Sequence, residues 1–246
     1  MTQVLPPPVC PPAQADAQLR ERGYAVLDAH GLVALLDLPP DALEPLRPFW
    51  DDLPPDAHLK DGGRYRRRRH SCFVVEGSRI EQVPHRAHWQ PVEYNALHGG
   101  IQRWFEPMDA AMLALPVWQR LLRMLAERAS ALKGTRPWYV EAHPFRIDTT
   151  DGIGRPTPEG AHRDGVDLVA VMLVERRDIK GGESRVFEAH GPQGLRFTMS
   201  QPWTLLLLDD ERVIHETTPI QPAGAHPHRD TLVITLRAGG FQGSVI

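Results

Sequence analysis

Cysteine is nearly absent. Cys10 and Cys72 are the only two in 246 residues, and Cys10 sits in a proline-rich stretch, so neither a disulfide framework nor a cysteine zinc site can be built. Long apolar runs are missing too: the longest, such as Leu205–Leu208, fall far short of the roughly 18 residues that span a bilayer. The opening Met-Thr-Gln-Val-Leu-Pro-Pro-Pro lacks the charged and apolar regions of a secretory leader, so a cytoplasmic protein is expected. Lysine is scarce, with Lys60, Lys133 and Lys180 the whole complement, which leaves positive charge to arginine. Nor is there an excess of it: 28 basic against 31 acidic residues give a net charge of −3, the opposite of a dedicated nucleic-acid binder. Against these absences, 41% apolar and 24% charged residues supply a sizeable core and exclude wholesale disorder.

Five prolines in Pro6–Pro12 cannot continue a helix or a central strand, so residues 1–12 read as a flexible tail ahead of a single domain over 13–246. The spacing predicts a short helix over Ala13–Arg22 stopped by Gly23, a strand at Tyr24–Leu27, and helical Gly31–Trp50 in two pieces broken at Pro39-Pro40. Asp61-Gly62-Gly63 is a turn. Ala110–Leu132 is the clearest long helix, and Pro116 either kinks it or marks its start. This helical layer lies mostly within 13–132. From Trp138 the pattern changes to short β-rich runs: Trp138–Ile147, Leu168–Val174, Ser184–Phe187, Leu195–Met199, Trp203–Leu208 and Thr231–Arg237. The fold class is mainly β with α, a jelly roll or sandwich with its strands mostly in 138–237 and the helices packed on one sheet.

His162-Arg163-Asp164 and the later His215 have the composition of a metal site. On a strand, residues i and i+2 point to the same side, so His162 and Asp164 can present an imidazole and a carboxylate to one ion. Two imidazoles and one carboxylate on one face of an octahedron leave three positions open, the arrangement of non-haem Fe(II) oxygenases. With 12 histidines and 31 acidic residues, a His-x-Asp also arises by chance. The second half of the spacing adds weight: Arg229-Asp230-Thr231 opens the apolar run Thr231–Leu236, where a returning hairpin would bring a guanidinium back towards the metal. A planar Arg fork suits a carboxylate, and the Thr231 hydroxyl, on the same side of the strand, could add one bond, so the pattern suits a dicarboxylate cosubstrate. A solvated arginine at a strand start is the plainer alternative for Arg229.

Several segments make the resemblance specific: Asp61–Arg66, Tyr94–Gly100, Glu141–Arg146, Thr157–Gly165 and Gly181–Ser184. On these and on the His-x-Asp…His…Arg pattern, the sequence from Asp61 to Arg237 resembles the Fe(II)/2-oxoglutarate dioxygenases, and within them the bacterial group that includes free L-isoleucine hydroxylases. The resemblance implies a double-stranded β-helix (jelly roll), with His162, Asp164 and His215 holding Fe(II) and Arg229, helped by Thr231, holding the distal carboxylate of 2-oxoglutarate. It also implies O2 as the other cosubstrate, release of succinate and CO2, and hydroxylation of the side chain of a small free L-amino acid, aliphatic or thioether. A zwitterion needs a cation and an anion, for which Arg64, Arg66 or Arg146 and Glu141 or Asp167 are the candidates.

The run Arg64–His70, with five arginines, reads as a strand edge with alternate residues solvated, as a grip on a substrate carboxylate, or as a phosphate patch. Glu141, His143 and Phe145 alternate with Ala142, Pro144 and Arg146, so one polar face could line a barrel beside the metal or serve structural salt bridges. Asp151–Pro156 reads as a mobile loop at the site entrance, Gly181-Gly182 as a turn, Trp203 as core, and His226 with His228 as a surface loop rather than a second metal site. The same chemistry on a modified or carrier-bound amino acid, a cupin-type metalloenzyme without 2-oxoglutarate, and a non-catalytic binding module are the competing readings. Nucleic-acid and membrane partners are not expected.

Overall fold

The computed structural model describes residues 4–243. Helix α1 (Ala15–Arg22) ends at Gly23, whose φ of +78° is a left-handed conformation open to glycine, and the Gly23 N–H donates to the Leu19 carbonyl. Strand β1 (Tyr24–Leu27) leads into helix α2 (Ala29–Leu36), capped by the Asp28 carboxylate accepting from the Gly31 N–H. The second apolar piece, Glu44–Trp50, winds as a 3-10 helix; Pro48, inside it, has no N–H to donate. Strands β2 (Arg66–Arg68), β3 (Ser71–Glu76) and β4 (Arg79–Gln82) follow, then the one-turn α3 (Ala110–Leu113) and the long α4 (Pro116–Lys133). Pro116 marks the start of α4, where its missing N–H leaves no intrahelical bond unmade.

The remaining strands are β5 (Trp138–Asp148), β6 (Leu168–Arg177), β7 (Ile179–Gly181), β8 (Ser184–Glu188), β9 (Gly194–Phe197), β10 (Leu205–Asp209), β11 (Val213–Thr217), β12 (Ile220–Pro222) and β13 (His228–Ala238). The large sheet runs β1-β10-β6-β13-β5-β3-β4, with β2 also on β5, while β11-β8-β9 and β12-β7 form the smaller facing sheets. Every strand pair is antiparallel. This is the mainly β jelly roll with a helical layer that the strand pattern predicts.

The period-two alternation of β5 and β13 separates two environments. Leu232, Ile234 and Leu236 with Val140 and Ala142 face the helices and join the main core with Trp118, Leu121 and Leu125 of α4. The alternate residues, Arg229 to Thr235 on β13 and Glu141 to Ile147 on β5, line a cavity between the sheets. A second apolar cluster built on Val26, Val169, Phe197, Leu206, Leu208 and Val213 fills the inter-sheet space at the β1 and β10 side.

Two expectations are corrected here. Residues 4–12 are not a loose tail: Val9 bridges Val26 in parallel, the Cys10 N–H donates to the Val26 carbonyl at 2.9 Å, and Cys10 is 3% exposed. β1 is an edge strand with open backbone groups, and Val9 and Cys10 between the prolines keep the N–H groups needed to pair. Residues 1–3 lie outside the described residues. His162 is not on a strand but at an isolated bridge to His215. Trp203 is buried, as expected, at a left-handed turn before β10. No helix among the described residues is long and apolar enough to cross a membrane.

Candidate active site

His215 stands on β11, and the segment carrying His162 pairs with it: each residue's N–H donates to the other's carbonyl, at 3.0 and 2.9 Å. The imidazoles are held 4.7 Å apart between centroids. Asp164 faces both, with Oδ1 3.8 Å from His162 Nε2 and Oδ2 3.6 Å from His215 Nε2. One ligand atom from each of the three falls within 4.8 Å of the others, so a single ion could touch all three. His162 Nδ1 lies 2.9 Å from the Gly160 carbonyl, which as acceptor places the proton there and turns the Nε2 lone pair to the cavity. Burial and the nearby His162 depress His215 to a pKa of about 3, so it presents a neutral imidazole. Burial opposes charge on His162, but Asp164 and Glu159 outweigh it and raise its pKa, the mark of an anionic centre suited to a cation.

The loop that carries Asp164 is clamped from behind. The Asp210 carboxylate accepts from the N–H groups of Asp164, Gly165 and Val166 at 3.0, 2.7 and 3.1 Å. Burial and the charge of Asp164 push Asp210 up to about 7. From the cavity side the Gln90 amide donates to Asp164 Oδ1 at 3.2 Å.

Arg229, at the start of β13, is 3% exposed and lines the same cavity, yet its Nε and Nη2 have no partner among the described residues. Burial and the neighbouring Arg176 lower its pKa to about 10. A buried guanidinium without a carboxylate is expensive, so this end of the cavity has the chemistry of a site awaiting an anion. Thr231, two residues on and on the same face, is buried beside it.

The far wall is also charged. Arg66 and Arg68 of β2 point inward, and Arg66 Nε donates to Asp56 at 2.7 Å. Glu141 Oε2 lies 3.0 Å from His70 Nε2 and 2.6 Å from His88 Nδ1, while His143 Nδ1 meets Arg68. Burial works against the Glu141 carboxylate, but the two histidines outweigh it and hold its pKa far below the usual range. Burial holds His88 at about 4, so neutral imidazoles serve an ionised carboxylate. His70, His88, Glu141 and His143 have ligand atoms close enough for a metal. Arg68 can only donate, however, so His143 Nδ1 must accept and its proton lies on Nε2, where a metal would have to bind. Two further guanidiniums nearby oppose a second cation. The cluster is a hydrogen-bonded shell around Glu141.

Of the residues expected at the site, His162, Asp164, His215, Arg229, Thr231, Arg66 and Glu141 all line this one cavity. Three do not. Arg64 is exposed because β2 begins only at Arg66, so the alternation that turns Arg66 and Arg68 inward does not extend to it. Arg146 is on the outer face of β5, where its guanidinium is bound to both oxygens of Asp230 at 2.8 and 2.7 Å. Asp167 is turned to the backbone, accepting from the Ala238 N–H at 2.8 Å. Gln90, Arg103, Glu159 and Asp210 are the additions; all sit in loops without periodicity, and apart from Glu159, which lies within Thr157–Gly165, only their polarity marks them. Within Asp151–Pro156, expected as a mobile loop, Gly154 is bridged to Ile220 and Pro156 lines the cavity. His228 bonds Glu175 at 2.9 Å, and with Asp230 these form a third close cluster, outside the cavity.

With the geometry in place, comparison with known proteins is decisive. A family model described as 2OG-Fe dioxygenase matches residues 47–235. The chain belongs to the 2OG-Fe dioxygenase family. Among solved structures it is similar to a bsmA homolog from Methylobium petroleophilum PM1, at 53% identity over 100% of both chains with a TM-score of 0.92. It also shares its fold with IDO from Bacillus thuringiensis, at 15% identity over 97% of this chain and 100% of that one, TM-score 0.75. The dioxygenase TqaL gives 17% identity over 96% and 90% of the two chains, TM-score 0.71. A search of curated proteins gives no match. This dioxygenase therefore uses Fe(II), 2-oxoglutarate and O2, and a His-His-acid site fit for the metal is at hand.

Proposed function

We infer that this dioxygenase hydroxylates the side chain of a small free L-amino acid, with His162, Asp164 and His215 as the iron ligands and Arg229 with Thr231 as the anchor of 2-oxoglutarate. When bound, Fe(II) with 2-oxoglutarate and O2 supplies the oxidant that exchanges a C–H for a C–OH and leaves succinate and CO2. The chain's own part is to hold and orient. Arg229 neutralises the distal carboxylate of 2-oxoglutarate, its orphaned Nε and Nη2 gaining the acceptors they lack. Asp210 and Gln90 fix the Asp164 carboxylate between the imidazoles.

The observation that carries the substrate class is the charged wall that β2 and β5 add to the cavity beside Arg229. Arg229 is opposite Ile147, and Glu141 is opposite Thr235, six residues further along the same strand pair. At about 3.4 Å per residue the two ends stand roughly 20 Å apart, with the metal triad between the sheets. Between these ends the β2 side of the wall adds buried Arg68, opposite Phe145, so the wall buries charges of both signs, which suits an ammonium and a carboxylate on one small molecule. Glu141, with Oε2 taken by histidines, offers Oε1 to the ammonium. Val171, Val233 and Phe145 on the cavity wall suit an apolar side chain. Since one or two methylene contacts are worth about 1–3 kcal/mol, several aliphatic amino acids should be accepted.

The test incubates free L-isoleucine, L-leucine and L-methionine with enzyme, Fe(II), ascorbate and 2-oxoglutarate, and looks for a product one oxygen heavier formed in step with succinate. If only peptide- or carrier-bound amino acids react, the free-substrate reading is wrong while the chemistry stands.

A further inference from the structure

We propose that Arg68 and Arg103 form a subsite for the substrate's carboxylate, on the β2 side of the cavity, across β5 from the strand that carries Arg229. The inference rests on the amino-acid reading above for the identity of the ligand, but its physical basis is independent of it.

The signature of an absent anion at Arg229, a buried guanidinium with orphaned N–H groups, occurs a second time in the same cavity. Arg68 is 3% and Arg103 is 2% exposed, both line the cavity, and the Nε of each has no hydrogen-bond partner among the described residues. Arg66 converges on the same wall, so three guanidiniums share it. Among the described residues no carboxylate bonds Arg68 or Arg103 directly, although Glu159 lines the same cavity. Asp56 is paired with Arg66 at 2.7 Å, and Glu141 Oε2 is taken by His70 and His88. Among the described residues, the side-chain hydrogen bonds of Arg68 and Arg103 go to neutral acceptors, His143 Nδ1 and Gln90 Oε1. Burial and the charge of Arg66 lower the pKa of both, and the nearby carboxylates offset this only in part. A structural arginine of this depth normally holds a carboxylate.

The two forks are also held still. The Arg68 guanidinium lies between the rings of Phe105 and Phe145, 3.9 and 4.3 Å from their centroids. Arg103 is fixed by Gln90, whose amide nitrogen reaches Asp164 Oδ1. Orientation set before binding lowers the entropy lost on binding. The Gln90 bridge also places the subsite one side chain away from a metal ligand. A carboxylate held there directs a short side chain at the triad, whereas a peptide-bound residue brings no free carboxylate to match the charge.

The experiment uses the full-length protein with Fe(II) and saturating 2-oxoglutarate under anaerobic conditions, so that the Arg229 end is filled. Thermal shift and calorimetry are read for acetate, for L-isoleucine, L-leucine and L-methionine, and for the amides of the three amino acids. Acetate and the acids should bind, and the amides should bind at least tenfold more weakly. Arg68→Gln and Arg103→Gln should each weaken acetate and acid binding at least tenfold. They should leave unchanged the 2-oxoglutarate concentration that half-develops the metal-to-ligand charge-transfer band. Equal binding of acids and amides, or of acetate to wild type and to folded variants, overturns the subsite; the acid-to-amide comparison decides if the variants do not fold. If acetate depends on the two arginines and no amino acid binds, the subsite stands and the amino-acid reading falls. If amino acids bind and the folded variants bind them equally well, the reverse holds.

Discussion

His162 and His215 are each other's backbone partners, each N–H donating to the other's carbonyl, so two residues far apart in sequence are fixed as neighbours before any ion arrives. The pair ties the loop after β5 to β11 of the smaller sheet, and Asp210 clamps the next residues of that loop from behind. The candidate metal site is thus set by backbone geometry on one side and a buried carboxylate on the other. Its side chains need not collapse onto the metal to find their positions.

Replacing His162, Asp164 or His215 by alanine should abolish turnover and lower Fe(II) affinity sharply while the fold persists, because each removes one of three protein ligands and leaves the backbone pairing intact. Equilibrium metal titration with circular dichroism checks this. Full activity in any variant removes that residue from the site.

Arg229→Ala should raise the 2-oxoglutarate requirement a hundredfold or more, in line with the roughly 2–5 kcal/mol lost when one partner of a buried charged pair is truncated. Arg229→Lys should restore part of it, a point charge replacing a fork. The unliganded variant should be no less stable than wild type, since it loses an unpaired cation packed near Arg176. The charge-transfer band titrated with 2-oxoglutarate and a melting curve give the two readouts. An unchanged requirement would place the anchor elsewhere.

Asp210→Asn should cost about 10–100-fold in metal affinity, the range for residues that orient a ligand. An amide has one accepting oxygen, so at least one of the three N–H bonds that shape the Asp164 loop is lost. Asp210→Ala should be worse. Metal affinity equal to wild type in both would mean that the loop holds its shape without the clamp.

His162, Asp164, His215 and Arg229, which line one cavity, stand out in the sequence by their spacing, not by their residue types, which are plentiful in this chain. The polar face of β5 was legible from alternation alone: Glu141, His143 and Phe145 all line the cavity. Arg146 and Asp167 were not placed correctly because a charge in sequence does not reveal its partner, and Asp230 and the Ala238 N–H claim them. Arg103 and Gln90 lie between elements, in a segment whose hydrogen bonds are tertiary, so no periodicity announces them. The helices and long strands followed from caps and periodicity. Short strands such as β2 and β12 exist only through their pairing to β5 and β7. The proline-rich start packs on β1 although its composition suggests a tail, because composition shows what prolines cannot donate and hides what Val9 and Cys10 do.

Deleting residues 1–12 should therefore destabilise the dioxygenase. The deletion uncovers Val26, removes buried Cys10 and leaves the edge of β1 unpaired. A loss of about 1–2 kcal/mol corresponds to roughly 2–8 °C in Tm for a domain of this size. A melting point within a degree of the full chain would show that the segment contributes nothing.

His88 should contribute a resolvable loss of stability on acidification between about pH 6.5 and pH 4. Burial holds the folded-state pKa of His88 at about 4, well under its ordinary 6.5. Between those values the unfolded chain takes up a proton that the folded one refuses. The stabilisation is complete above pH 6.5 and is lost as pH falls through the window, at up to about 1.4 kcal/mol per unit and roughly 3 kcal/mol in all. His70 and His143 are lowered by burial too and act in the same direction. Glu141, held below its ordinary 4.5, begins to withdraw its own contribution only beneath that pH. His162 and Asp210 are raised and work oppositely, their contributions present at low pH and lost as pH rises through their folded values, so the single-site comparison isolates His88. Asparagine at position 88 keeps a donor for Glu141 but cannot titrate, so His88→Asn should flatten the pH dependence by close to one proton. Urea unfolding at half-unit steps from pH 4.5 to 7.5 compares the two slopes, and parallel slopes for wild type and variant would show that His88 is not held neutral in the folded protein.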